Sequence, residues 1–243
     1  MSTINAPLQR LPAIDRLPAG ERGITLADFL VPIRLSERMS VRVRHAVLIV
    51  TGALVVALCA QLELLQTGQA IPVLADFRIQ LADSPVPITG QTFGVLVVGT
   101  ALGMRRGAAA LVLYLLLGLA LPFYAGGASG PGQFVSREEG RIVLGATGGY
   151  LIGFVAAAAV TGWLAEKGWD RRYLGAVLAM ILGSALIYAI GLPWLAVATG
   201  GTFEQVVTWG LSPFVVLDLL KLMAAAAIFP ISWWFVRRSP EAR

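Results

Sequence analysis

The chain predicts an all-α integral membrane protein of six transmembrane helices, with the N and C termini both on the cytoplasmic side. Three observations carry this. Apolar residues make up 57% of the 243 residues and charged residues 14%, far from the balance of a water-soluble domain. The mean hydropathy is +0.76, and clustering of the charges leaves long apolar runs between them. The basic residues also fall in alternate connections. One set holds Arg10, Arg16, Arg22, Arg34, Arg38, Arg42 and Arg44, then Arg105-Arg106, then Lys167 with Arg171-Arg172, then Arg237, Arg238 and Arg243. The other set holds Arg78, Arg137 and Arg141 alone. Lysine and arginine accumulate on the cytoplasmic side, so this alternation predicts the number of spans as well as their direction.

Residues 1–45 read as a retained basic cytoplasmic tail. They are too long and irregular for a cleaved signal peptide, and no small-residue cleavage pattern follows the first apolar run. Residues 27–44 have the make-up of a short helix lying on the membrane surface, in contact with lipid. The membrane domain spans 46–238, and 239–243 form a cytoplasmic end. The six spans are expected at 46–65, 88–104, 108–124, 142–165, 173–197 and 213–236. Each is near or above the length that crosses ~30 Å of hydrocarbon at ~1.5 Å per residue, except the second, which must be thin or partly buried in protein. Pro193 is expected to kink or end the fifth. The outer connections, 66–87, 125–141 and 198–212, are the longer ones and rich in Gly, Pro and polar residues, which points to a site that faces outward. Within the first of them, 77–81 alternates like a short strand.

The sharpest polar feature is Asp218-Leu219-Leu220-Lys221 in the sixth span. Charges inside a membrane helix tend to mark function, and the i, i+3 spacing places both on one face. Counted from Pro213, they lie about 8–12 Å in from the outer end. The pair is either a ligand site or an ion pair that holds the bundle; a buried pair is a poor stabiliser, which favours the first. Thr89, Gln91 and Thr92 open the second span on the same side. Thr89 has two compatible roles, capping the helix and meeting a ligand. Gly126-Gly127 and Gly148-Gly149 allow close backbone approach and exposed N–H groups, or serve only as pliable loop. Tyr150 brings a hydroxyl into an apolar helix and can line a pocket. Ala53 and Ala57, four apart in the first span, suit close helix packing, either inside the bundle or, on an outward face, against a partner's helix.

Several classes are disfavoured. A formal charge of +5 does not signal nucleic acid, since the bases sit where orientation signals belong. No G-x-x-x-x-G-K-[ST], H-E-x-x-H or G-x-S-x-G occurs, so the chain lacks an ATP-holding loop of its own and the usual hydrolase constellations. Cys59 is the one cysteine and His45 the one histidine, leaving no disulfide and no metal cluster to build. No cofactor and no catalytic residue is expected. The spans do not divide into two visibly similar halves, as an inverted-repeat transporter would.

Read in order, Pro85-Val86-Pro87-Ile88-Thr89-x-Gln91-Thr92, Leu102-Gly103-x-x-Arg106-Gly107, Tyr114-Leu115-x-Leu117-Gly118, Pro122, Ala125-Gly126-Gly127 and Thr147-Gly148-Gly149-Tyr150-Leu151-x-Gly153-Phe154 closely resemble the BioY family, as do Gly191-Leu192-Pro193-Trp194 and Asp218-x-x-Lys221. The resemblance covers residues 46–238. It implies an S-component-like bundle of six helices in the bacterial plasma membrane. It implies high-affinity biotin capture at the outer face and inward release, driven by a transmembrane coupling protein (EcfT- or BioN-like) and cytosolic ATPases (EcfA- or BioM-like). Alternatives are a stand-alone biotin facilitator, separated by uptake without the coupling module, and an S component for another vitamin, separated by competition binding. By the same resemblance, Ala53 and Ala57 would dock the coupling protein. Asp218 would accept from a ureido N–H of biotin. Lys221 would meet the ureido oxygen or the carboxylate, and the Gly126-Gly127 loop would cover the pocket. Gln91, Thr89 and Tyr150 complete the candidate ligand set. The chain departs from the family in Ala146 where a proline is usual, in Gly90 where a larger apolar residue is usual, and in the inserted Ser136-Arg137-Glu138-Glu139-Gly140-Arg141. The insertion leaves open whether Arg137, Arg141 or neither meets the ligand; Arg141 is taken as the candidate.

Overall fold

The computed structural model of the chain describes residues 25–27, 40–65, 84–138 and 140–238. Among them are seven α-helices: α1 (Val41–Gln61), α2 (Gln91–Leu102), α3 (Met104–Gly118), α4 (Gly148–Glu166), α5 (Tyr173–Thr199), α6 (Phe203–Gly210) and α7 (Ser212–Arg238). Two antiparallel strand pairs accompany them, β1 (Glu63–Leu65) with β2 (Ile88–Thr89), and β3 (Val135–Glu138) with β4 (Arg141–Leu144). Four helical stretches are long and apolar enough to cross a membrane: α1, α4, α5 and the run Phe203–Val236 that joins α6 to α7.

α4 is the axis, packed against α2, α3 and α5, with α1 against α2 and α3 and α7 against α5 and α2. α2 has 12 residues, most of them buried by neighbouring helices. A segment walled by protein need not span the hydrocarbon by its own length. Its approach to α4 depends on glycine: a Cβ on Gly99 would sit 2.6 Å from the Cα of Ala158. Small residues allow helix backbones to meet this closely in lipid.

Several boundaries differ from the sequence reading. Residues 142–144 lie in β4 rather than in a helix, because Ile142 and Val143 pair across the hairpin with Arg137 and Ser136, and α4 starts at Gly148. α5 runs through Pro193 to Thr199 without ending; neighbouring helices can re-satisfy the backbone groups that a proline frees. α1 starts at Val41, so Arg42, Arg44 and His45 belong to its first turns and not to a separate surface helix. α6 was not foreseen, although Thr202-x-x-Gln205 forms a capping box at its start. Ala53 and Ala57 are buried inside the bundle, at 0% and 6% exposure. The face that α1 turns outward carries Val47, Val50, Leu54 and Leu58 instead, so the two alanines serve internal packing rather than an outward docking surface. The strand expected at 77–81, and most of the tail before Ser40, lie outside the described residues.

At the end of the bundle that holds the basic turns, Asp170 sits between α4 and α5 in the short turn Trp169–Arg171. It is 1% exposed. Its Oδ2 accepts from Trp233 Nε1 of α7 at 2.6 Å, while its buried Oδ1 has no partner among the described residues. Burial pushes this carboxyl up to about 6, against the opposing pull of the Trp233 hydrogen bond and the nearby Arg171.

Candidate functional site

A cavity opens at the other end, where β2 leads into α2, α4 begins, and α5 and α7 pass. Its empty space is about 570 Å³, counting the open mouth. Leu151, Phe154, Ile187 and Phe214 give it apolar walls, and Asp218, Lys221, Tyr188, Thr92 and Gln133 supply polar groups. Few polar groups against apolar walls is the usual make-up of a small-molecule site.

The start of α2 is tied down locally. The Thr89 hydroxyl accepts from the Gln91 backbone N–H at 3.1 Å and donates to Gln91 Oε1 at 2.9 Å. Gln91 Nε2 then donates to the Tyr114 hydroxyl at 2.6 Å. Thr89 thus ties its hydroxyl to the first residue of α2 and lines the cavity, but it does not cap the helix: the capping position is Gly90, with no side-chain cap. Gln91 retains one amide N–H beyond these bonds.

Donors converge on Asp218 from three helices. Oδ1 accepts from Thr92 Oγ1 of α2 at 3.0 Å and from Lys221 Nζ at 2.9 Å. Oδ2 accepts from the Tyr188 hydroxyl of α5 at 2.6 Å. Lys221 Nζ also donates to the Thr89 carbonyl at 2.7 Å. A carboxylate offers about four acceptor positions and an ammonium three N–H groups. Among the described residues one position on Oδ2 and one Lys221 N–H thus remain, and both residues line the cavity. The site is complementary to a ligand group that presents an N–H and a carbonyl oxygen side by side.

The BioY family model matches residues 34–238. The chain belongs to the BioY family. Two relatives illustrate the similarity. The biotin transporter BioY of Rhizobium etli is 36% identical over 158 residues, 62% of this chain and 79% of the relative. The biotin transporter BioY of Thermotoga maritima is 34% identical over 151 residues, 62% of this chain and 82% of the relative. The fold is also that of a solved structure, the S-component for biotin from an ECF-type ABC transporter. The match has a TM-score of 0.61 at 22% identity and covers 79% of this chain and 93% of that one.

Set on this BioY fold, the residues singled out from the sequence divide. Asp218, Lys221, Thr89, Gln91 and Tyr150 all line the cavity. The Tyr150 hydroxyl itself donates to the Gly210 carbonyl at 3.0 Å, so its one O–H is already engaged within the protein. Gly126 and Gly127 do not line it; Tyr124 and Ala125, just before them, do. The two glycines have φ of 64° and 72°, which lets the chain turn back over the end of α3. Gln61 holds that turn by donating to the Tyr124 carbonyl at 3.0 Å. Arg141 lies beyond the site. It begins β4 at the hairpin tip, exposed, opposite Glu138 in register, and it is absent from the cavity wall, as is Arg137. The insertion extends outward as a two-stranded hairpin and carries both arginines away with it. Sequence reasoning missed Tyr188 and Gln133. A tyrosine within an apolar run is a usable signal, since its hydroxyl needs a partner when buried. Gln133, hydrogen-bonded to Thr147, gave no such signal.

Proposed function

We propose that this chain is the biotin-capturing membrane subunit of an ATP-driven uptake system of the ECF type. The observation that carries the reading is the open acceptor position on Asp218 beside the open N–H of Lys221. A ureido ring offers an N–H and a carbonyl oxygen side by side, and the apolar walls suit its fused ring and aliphatic chain. The names of the relatives support the same ligand. In this reading α1, α2, α3, α4, α5 and α7 are the six membrane-crossing helices, α2 and α3 being short ones. Both termini face the cytoplasm of a bacterial cell, and the domain 46–238 lies in the plasma membrane with the cavity at its outer face. Support comes from the basic turns at Arg105-Arg106 and Lys167–Arg172, which lie at the end away from the cavity. ATP hydrolysis falls to partner subunits, coupled through a transmembrane protein, and this chain catalyses no reaction.

The test is equilibrium binding of radiolabelled biotin to the chain purified alone in detergent. One-to-one binding, displaced by unlabelled biotin and not by other vitamins, is expected. Folded protein that binds no biotin would overturn the reading.

A further inference from the structure

We infer that Tyr188 is a positioning residue of this site: by holding Asp218 Oδ2 it leaves the carboxylate a single open acceptor position, and so sets the site to read one N–H of its ligand. This rests on the biotin reading above.

The terminal torsion of an aspartate is broad and nearly two-fold, so a carboxylate held at one oxygen alone is free to swing. Thr92 and Lys221 both meet Oδ1. Among the described residues only Tyr188 meets Oδ2, at 2.6 Å, the short length of an O–H···O⁻ bond to a charged acceptor. Three donors from α2, α5 and α7 then fix the plane of the group. Tyr188 is itself braced. Its ring stands edge-on to that of Tyr150, with centroids 6.3 Å apart, and the Tyr150 hydroxyl is tied to the Gly210 carbonyl. A glycine at 191 makes room for the Tyr150 ring, since a Cβ there would lie 2.6 Å from its Cδ1. Without the Tyr188 hydroxyl, Oδ2 would carry two open positions and the carboxylate would lose its orientation. The ligand's N–H would then meet an acceptor that no longer points at it.

The experiment is a cycle between the side chain and the ligand. Biotin and its two isomers methylated on one ureido nitrogen are bound to the full chain in detergent, with wild type, Tyr188→Phe and Tyr173→Phe compared. The wild type is expected to discriminate against the isomer whose methyl replaces the N–H that Asp218 accepts. Tyr188→Phe keeps the ring and loses the donor; it is expected to weaken biotin about tenfold while changing that isomer by no more than about twofold. The selectivity ratio therefore collapses in Tyr188→Phe and stays as in wild type in Tyr173→Phe, whose lost hydroxyl lies exposed at the start of α5, away from the cavity wall. Unchanged biotin binding in folded Tyr188→Phe overturns the assignment. So does an equal loss for biotin and both isomers, which a merely structural role would give, or a ratio that collapses in Tyr173→Phe as well. A chain that does not fold without this hydroxyl makes Tyr188 structural and also overturns it. A wild type that binds no biotin defeats the underlying reading instead, and is seen before any variant is made.

Discussion

Two buried aspartates sit at opposite ends of this bundle, and their surroundings differ. Asp218 is 7% exposed and Asp170 is 1% exposed. Asp218 receives three side-chain donors, one of them an ammonium at 2.9 Å. Asp170 receives one, from Trp233, and Arg171 stacks its guanidinium over the Trp233 ring, 5.2 Å from the centroid. One oxygen of Asp170 is left with no partner among the described residues. The lesson is that burial by itself does not make a ligand site. A buried charge is tolerable when donors converge on it, and it becomes useful when a cavity reaches the position they leave open. Asp218 meets both conditions. Asp170 is sealed, under-partnered and driven toward its neutral form, which fits a link between the α4–α5 turn and α7 better than recognition.

The largest expected effect tests the first half of that contrast. Asp218→Ala removes the acceptor and leaves the Lys221 ammonium buried with only the Thr89 carbonyl. Biotin affinity is expected to fall by about 3 kcal/mol, and the folded chain to lose stability by a similar amount, since removing one partner of a buried pair costs about 3–5 kcal/mol. Asp218→Asn keeps the shape but offers one neutral acceptor and a donor turned against other donors; about 1.5 kcal/mol of binding should go. Equilibrium binding, with thermal unfolding to confirm the fold, measures both. Wild-type affinity in folded Asp218→Asn would mean the carboxylate is not the acceptor.

How much of this was readable beforehand follows from which forces act locally. The apolar runs were legible because hydropathy is a property of composition, and Asp218 and Lys221 stood out because charge inside such a run has few innocent explanations. The hairpin at 135–144 was not, since Ile142-Val143 extends an apolar stretch as well as it forms a strand, and only pairing across the turn decides. Ala53 and Ala57 share a helix face by spacing, but spacing does not say whether that face turns in or out. Tyr188 carries a hydroxyl that calls for a partner, but which partner is decided only when α5 is set against α7. Of the two effects expected of Pro193, it does not end the helix; neighbouring helices can supply the partners that a proline removes.

A smaller effect tests the other aspartate. The Asp170 carboxyl is raised from 3.8 to about 6. Between those values the folded chain keeps a proton that the unfolded chain has lost. Stability therefore falls as pH rises through that window and is lowest above it, by up to about 2–3 kcal/mol. Asp170→Asn retains an oxygen for Trp233 Nε1 and cannot ionise. It is expected to raise the unfolding midpoint at pH 7, to leave it little changed near pH 4, and to leave biotin binding alone. Unfolding midpoints in detergent across pH 4–7 give the answer; an unaltered slope in the variant would show that Asp170 is not the titrating group.

The smallest expected effect concerns what lies outside both regions. Arg141 is exposed at the tip of the β3–β4 hairpin, away from the cavity wall. Arg141→Ala should change biotin affinity by no more than about 0.5 kcal/mol, as surface substitutions do. Arg137→Ala, on the same hairpin, should behave alike. The cations that matter to the ligand are then reduced to Lys221, which lines the cavity, and the site draws its charge from within the bundle. A tenfold loss in either arginine variant would break this contrast in an informative way. It would require the hairpin to fold over the cavity when biotin is present, so that the inserted loop supplies the base for the carboxylate while Asp218 and Lys221 together read the ureido ring.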